Sequence, residues 1–240
     1  LPDGRILFIN TSGYQGVPCV AGSDYVGNIH LLDRNKRTTR RLTLDQDNNW
    51  FPTMLHDGRV MFLRWEYTES AHYYSRVLMH MNPDGSDQKE YYGSNSYWPN
   101  SLFNAKAIPG KPGMFVGIVS GHHGEKRVGE LVLFDINRGR KETEGAVQKI
   151  PGYGKTVENI TKDELVNGLP TPLVAEPYPF SENYFLAASN LRPGEMSMNI
   201  VFCDTFDNII PLTASRYFIY GEPRPLHTRL KPPAIPDRVH

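Results

Sequence analysis

Residues 45–67 read DQDNNWFPTMLHDGRVMFLRWEY. A polar loop ends in Trp50-Phe51-Pro52, an Asp57-Gly58 pair follows, and then comes the apolar run Val60-Met61-Phe62-Leu63. Asp-Gly between two strand-like runs is a strong short-range hairpin signal, because both residues tolerate the positive φ of a tight turn. The phrase occurs twice: Leu1-Pro2-Asp3-Gly4-Arg5-Ile6-Leu7-Phe8 stands against Leu55-His56-Asp57-Gly58-Arg59-Val60-Met61-Phe62. Hairpins repeating at roughly 50 residues predict an all-β fold, a β-propeller of four-stranded antiparallel blades.

Laid out on that period, the chain divides into about four blades. The first lacks its opening strand and supplies strands near 5–9 and 28–32 and one ending at Thr43, with a long loop over 10–27. The second is expected at 50–55, 59–65, 76–81 and 88–92, the third at 101–108, 114–119, 130–134 and 146–150, and the fourth at 173–180, 184–188, 199–203 and 209–213. Thr161-Lys162-Asp163-Glu164 has the pattern of a capping box, so residues 161–167 are expected to form a short helical insertion. Residues 1–220 are read as the propeller domain, incomplete on its N-terminal side. The proline-rich stretch 221–240 is read as a linker toward a downstream domain.

Composition narrows the class. Lys plus Arg and Asp plus Glu are 26 each, so no charge excess argues for nucleic acid or an anionic surface. No apolar run approaches the roughly 18 residues of a membrane-spanning helix. Two cysteines do not make a disulfide framework. Nineteen prolines and 21 glycines suit a turn-rich β protein.

Strands in a blade alternate in direction, so the loop between strands two and three shares a face with the link to the next blade. That face collects the long, chemically rich loops, where binding sites on rigid scaffolds usually lie. Several places on it carry candidate chemistry. Ser120-Gly121-His122-His123-Gly124-Glu125 sets two imidazoles and a carboxylate among glycines, and His122, His123 and Glu125 are candidate metal ligands. Adjacent strand residues point to opposite sides, so one of the two histidines is expected to serve any one centre; the alternative is a turn whose histidines bond to neighbouring blades. Cys19, after Pro18 in the long first loop, is a candidate thiolate ligand or a small buried apolar group. Asp45-Gln46-Asp47-Asn48-Asn49 has the oxygen-rich composition of a calcium loop but lacks the glycine and glutamate of an EF-hand, which favours turn capping. Tyr67, Tyr97 and Trp98 are candidate cofactor contacts, and Arg64 and Glu66 a candidate ion pair. Cys203, in Ile200-Val201-Phe202-Cys203, is expected in the core. No CxxCH, HExxH, GxSxG, Walker or GxGxxG motif is present, and no catalytic residue is assigned.

Longer motifs carry a family resemblance. They include Tyr14-Gln15-Gly16-Val17-Pro18-Cys19, Leu63-Arg64-Trp65-Glu66-Tyr67-Thr68, His80-Met81-Asn82-Pro83-Asp84-Gly85, Tyr97-Trp98-Pro99-Asn100, Val119-Ser120-Gly121-His122-His123-Gly124, Ile150-Pro151-Gly152-Tyr153-Gly154-Lys155 and Pro232-Pro233-Ala234-Ile235-Pro236-Asp237-Arg238-Val239. Together they resemble the middle, TolB-like propeller domain of proteins related to the hydrazine synthase alpha subunit. The resemblance implies a large exported bacterial protein, periplasmic or extracellular, with a further domain after the propeller and a c-type haem motif beyond the segment matching 232–239. It implies zinc or haem c as cofactors of the full-length protein, with Cys19 and His122-His123 the positions to test. Many relatives have cysteine where this chain has Phe51.

Three functions follow as expectations. The first is a non-catalytic scaffold or binding module of such a protein, with a downstream domain or partner subunit. The second is an independent binding propeller for a carbohydrate, peptide or protein on the loop-rich face. The third is a subunit of a c-type haem oxidoreductase, in which any catalysis belongs to the full-length protein.

Overall fold

The computed structural model describes residues 1–66, 76–121, 127–159, 172–192 and 197–239, apart from the side chain of Cys19. The expected helical insertion at 161–167 lies outside the described residues, as do Tyr67, His122, His123 and Glu125. Among the described residues every regular element is a strand except a short 3-10 turn at Pro18–Val20, and no helix is long and apolar enough to cross a membrane.

The strands are β1 (Ile6–Asn10), β2 (Asn28–Asp33), β3 (Thr38–Arg41), β4 (Asn49–Met54), β5 (Val60–Trp65), β6 (Arg76–Met81), β7 (Lys89–Tyr92), β8 (Ser101–Ala107), β9 (Met114–Ser120), β10 (Glu130–Asp135), β11 (Ala146–Ile150), β12 (Leu173–Pro179), β13 (Tyr184–Asn190), β14 (Asn199–Asp204) and β15 (Ile209–Pro211). They form one three-stranded and three four-stranded sheets, each in chain order and antiparallel throughout. These are the expected blades, the first without an opening strand. Each strand lies close to its predicted place, because apolar runs and turn residues alternate along the chain without ambiguity.

The opening strand of every four-stranded sheet bulges at the same point: between Trp50 and Thr53 in β4, Phe103 and Lys106 in β8, and Ala175 and Tyr178 in β12. The extra residue takes a positive φ each time, 55° at Phe51, 51° at Asn104 and 51° at Glu176. A bulge of this kind adds twist and re-aims the side chains beside it. For Phe51 that conformation is costly, so the surrounding sheet must hold it in place.

By internal packing the chain forms two compact units, Leu1–Ser94 with Arg229–His240, and Asn95–Thr228. In the first, Ile29, Leu31, Leu42, Val60, Phe62 and Met81 make a core between its two sheets. The repeated phrase is a repeated structure there. Gly4 N–H bonds to Leu1 O at 3.1 Å and Gly58 N–H to Leu55 O at 3.2 Å, with φ of 90° and 85°. Asp3 and Asp57 each accept from the backbone N–H two residues on, at 3.0 Å, as short polar side chains do in such turns.

The last described residues lie along those turns. Asp237 takes both ends of the Arg5 guanidinium at 2.6 and 2.7 Å, a bidentate pair. Asp84 Oδ2 accepts from Arg238 N–H at 2.6 Å and Val239 N–H at 3.0 Å.

In the second unit β12 packs against β8, β9 and β10, and Val128, Ala175 and Ala188 form part of the core. Phe115 and Phe134 stack at 4.8 Å, and a bridge pairs Gly129 with Val174 through two 2.9 Å hydrogen bonds. Two turn carboxylates repeat the device seen at Asp84. Glu142 accepts from Tyr97 and Trp98 N–H at 2.8 and 3.0 Å, and Asp207 Oδ1 from Gly152 and Tyr153 N–H at 2.6 and 3.0 Å. An acid that caps two successive amides fixes an irregular segment without needing a strand partner.

Candidate functional site

The richest polar site among the described residues is built on the link between β3 and β4. Asn48 fastens it on both sides: its Oδ1 accepts from Gly27 N–H at 2.7 Å and its carbonyl from Trp65 N–H at 2.9 Å. Asn49 N–H bonds to Gly27 O at 2.8 Å, and Gln15 reaches Gln46 O at 2.9 Å. Tied down in this way, the link is driven inward, and Asp47, Asn48 and Asn49 are buried.

Around the link, charges are arranged in a chain. Arg64 Nε lies 3.1 Å from Asp45 Oδ1, and Arg64 Nη1 3.7 Å from Glu66; the same guanidinium donates to Gln88. Asn49 Nδ2 donates to the other Asp45 oxygen at 3.1 Å. The Arg64–Glu66 pairing expected from sequence is present, but the shorter contact goes to Asp45. Beside this chain Trp50 and Trp65 stack with centroids 6.1 Å apart at 12°, packed with Val17 and Val26. The Arg76 guanidinium sits 5.3 and 5.4 Å from the two ring centroids. A cation set beside two indole rings keeps its charge without a full shell of water.

Asp47 stands apart in that setting. It is 0 % exposed, and among the described residues neither carboxylate oxygen has a hydrogen-bond partner; Asn49 Oδ1 is in the same condition. Burial pushes the Asp47 carboxyl up to about 6, against the opposing pull of the Arg76 charge. Buried polar atoms without partners are uncommon and costly, which makes this the place in the first unit where chemistry is unfinished. The capping role expected for residues 45–49 is carried by Asn48 and Asn49, and Asp47 has no share in it.

A second cluster lies in the other unit, around the bulges of β8 and β12. Glu176 accepts from Glu222 N–H, and Gly221 packs so close to Glu176 that a side chain there would collide with the carboxylate. Lys106 is pushed down to about 8, by burial first and then by Arg224, with Glu222 and Glu176 acting the other way. Tyr178 Oη and His227 Nε2 are 2.6 Å apart, and His227 Nδ1 is 2.7 Å from Thr228 O, so Tyr178 donates to a ring whose other nitrogen carries the proton.

The residues singled out from sequence fall in different places. Trp98 is 1 % exposed and packs on Phe134, while Tyr97 is 62 % exposed; Glu142 holds the backbone of both. Cys19 lies within the 3-10 turn at Pro18–Val20, and Cys203 is buried, its thiol pushed up to about 12 by burial and by Asp204. Tyr67, His122, His123 and Glu125 lie outside the described residues. Among the described residues no three His, Cys, Asp or Glu side chains are gathered to hold a metal. Sequence reasoning named residues 45–49 but not Asp47 within them, and it passed over Lys106 and Glu176. Their only signal was position, just before or within a bulged opening strand.

No protein-family model and no curated protein sequence matches the chain. Among solved structures it is similar to hydrazine synthase of Kuenenia stuttgartiensis, with a TM-score of 0.71 and 17% identity, over 96% of this chain and 30% of that one. A tricorn protease is matched over 88% of this chain and 30% of that chain, with a TM-score of 0.26 and 11% identity. The chain thus spans about 30% of the length of the hydrazine synthase chain it resembles. At 17% identity the likeness is one of fold, and the chain is a β-propeller-like domain with the architecture of part of hydrazine synthase.

Proposed function

We propose that this domain is a non-catalytic scaffold and binding module of a larger exported bacterial protein, in which it helps to house a haem or metal site. The observation that carries this reading is the match to hydrazine synthase, which takes in 96% of this chain but 30% of that one. The interior supports a scaffold role, since cores, turn clamps and bulges recur from blade to blade while chemically distinctive groups sit in links and loops. Cys19, His122, His123 and Glu125 are the proposed metal contacts, and Tyr67 and Tyr97 the proposed contacts to a cofactor or neighbouring domain.

The test uses the natural full-length product. It is purified from its native compartment and examined by visible spectroscopy and elemental analysis, alongside Cys19→Ala and His122→Ala variants. The expected result is an exported protein with a c-type haem spectrum or bound zinc, altered in at least one variant. A full-length protein retained in the cytoplasm, or one carrying neither haem nor metal, would overturn the proposal.

A further inference from the structure

The partnerless atoms of the β3–β4 link are all of one kind. The two Asp47 carboxylate oxygens and Asn49 Oδ1 are acceptors, fully buried, with no donor among the described residues bonded to them. What completes such a set is a donor or a cation. Charge decides between kinds of cation. Three carboxylates (Asp45, Asp47 and Glu66) face two guanidiniums (Arg64 and Arg76). Arg64 is taken up by Asp45 and Glu66, and Arg76 lies beside the tryptophan rings, from where its charge acts on Asp47. The cluster as a whole is left with one negative charge, and Asp47 is its carboxylate without a hydrogen bond among the described residues. A single positive charge neutralises it, whereas a divalent ion would leave an excess positive charge in a buried setting. Oxygen-only donors select a hard ion.

We propose that Asp47 and Asn49 form the protein side of a buried site for a monovalent alkali cation, sodium or potassium. The site is separate from Cys19, His122, His123 and Glu125, and does not depend on the scaffold role. Protons compete for it. The charged group that acts on Asp47 is Arg76 from β6, and burial holds the Asp47 carboxyl near 6. Cation binding therefore strengthens as pH rises through that value.

The test is thermal melting of the purified 240-residue chain in sodium, potassium or N-methylglucamine chloride at equal ionic strength. At pH 8 either alkali salt is expected to raise Tm by a few degrees over N-methylglucamine, through preferential binding to the folded state. The rise is expected to shrink at pH 5 and to vanish in Asp47→Asn, an isosteric change that removes the charge and retains the packing. Sodium-23 line broadening that is relieved by potassium in the wild type, and missing in Asp47→Asn, is the second readout. Equal melting in all three chlorides would overturn the proposal, as a site filled by water predicts. So would an undiminished shift in Asp47→Asn, or stabilisation by calcium or magnesium with none by alkali ions.

Discussion

Asp84 and Asp47 belong to the same unit, are 2 % and 0 % exposed, and have reached opposite ends of the carboxylate range. Burial pushes both upward. At Asp84 it is outweighed by the Ser86 hydroxyl at 2.7 Å, the Ser86 N–H at 2.9 Å and the amides of Arg238 and Val239, which hold the acid down at about 2. At Asp47 there is no such donor among the described residues, and the acid rises to about 6. Local chain geometry makes the difference. On the Asp84 side chain the Ser86 amide of its own turn and the Arg238 and Val239 amides of the tail converge, whereas the Gly27 and Trp65 amides that reach the β3–β4 link are taken by Asn48. Burial alone does not set a carboxyl group's state; the donors supplied to it do.

The comparison can be broken most severely at Asp84. Asp84→Ala removes a buried acceptor that serves Ser86, Arg238 and Val239 and should cost about 2 kcal/mol in urea unfolding, with faster proteolysis of residues 229–239. In the wild type the Asp84 contribution is present above pH 4 and is lost as pH falls toward 2, since its folded value lies below the unfolded one. A melting curve unchanged by Asp84→Ala would end the contrast.

Gly58 is the next lever. A side chain at Gly58 would meet Pro233 O at 2.2 Å on top of an unfavourable φ of 85°, so Gly58→Ala should cost about 2 kcal/mol and dislodge the same tail. Asp47→Asn should act in the other direction. Its folded value is raised, so its favourable contribution is complete below pH 4 and is lost as pH rises through about 6. In N-methylglucamine buffer at pH 8 the variant should gain about 2 kcal/mol over wild type, with no gain at pH 4. A gain that persists unchanged at pH 4 would show that packing rather than charge is responsible. The smallest effect is expected at Gly4, the repeat partner of Gly58. Nothing lies within 4 Å of a Cβ there, so Gly4→Ala should cost only the price of its 90° φ, about 1 kcal/mol. A loss at Gly4 equal to that at Gly58 would mean that the tail adds nothing.

Much of the fold was legible. The Asp-Gly-Arg phrase, the apolar runs and the turn residues placed the strands, because each is a local effect of periodicity and turn chemistry. The bulges were not legible. Phe51, Asn104 and Glu176 share no residue type, and a two-to-one register is decided between strands rather than along one. The site was legible only as composition. Residues 45–49 could be recognised as rich in side-chain oxygens, but which oxygens would be satisfied depended on Gly27, just before β2, and Trp65, at the end of β5.

By itself, then, the sequence determined the blades, their order and the two Asp-Gly-Arg turns, since these need only neighbours in the chain. The tertiary structure decided what the repeated turns do. Arg5 reaches Asp237 on the distant tail, while its counterpart Arg59 donates to His80, Asn82 and Asp87 within its own blade. It also decided which of two buried aspartates is satisfied. For residues 45–67 this is the whole difference between a hairpin motif and a site: Asp57 bonds within its own turn, but Asp47 depends on what the assembled blades bring, and among the described residues they bring it no donor.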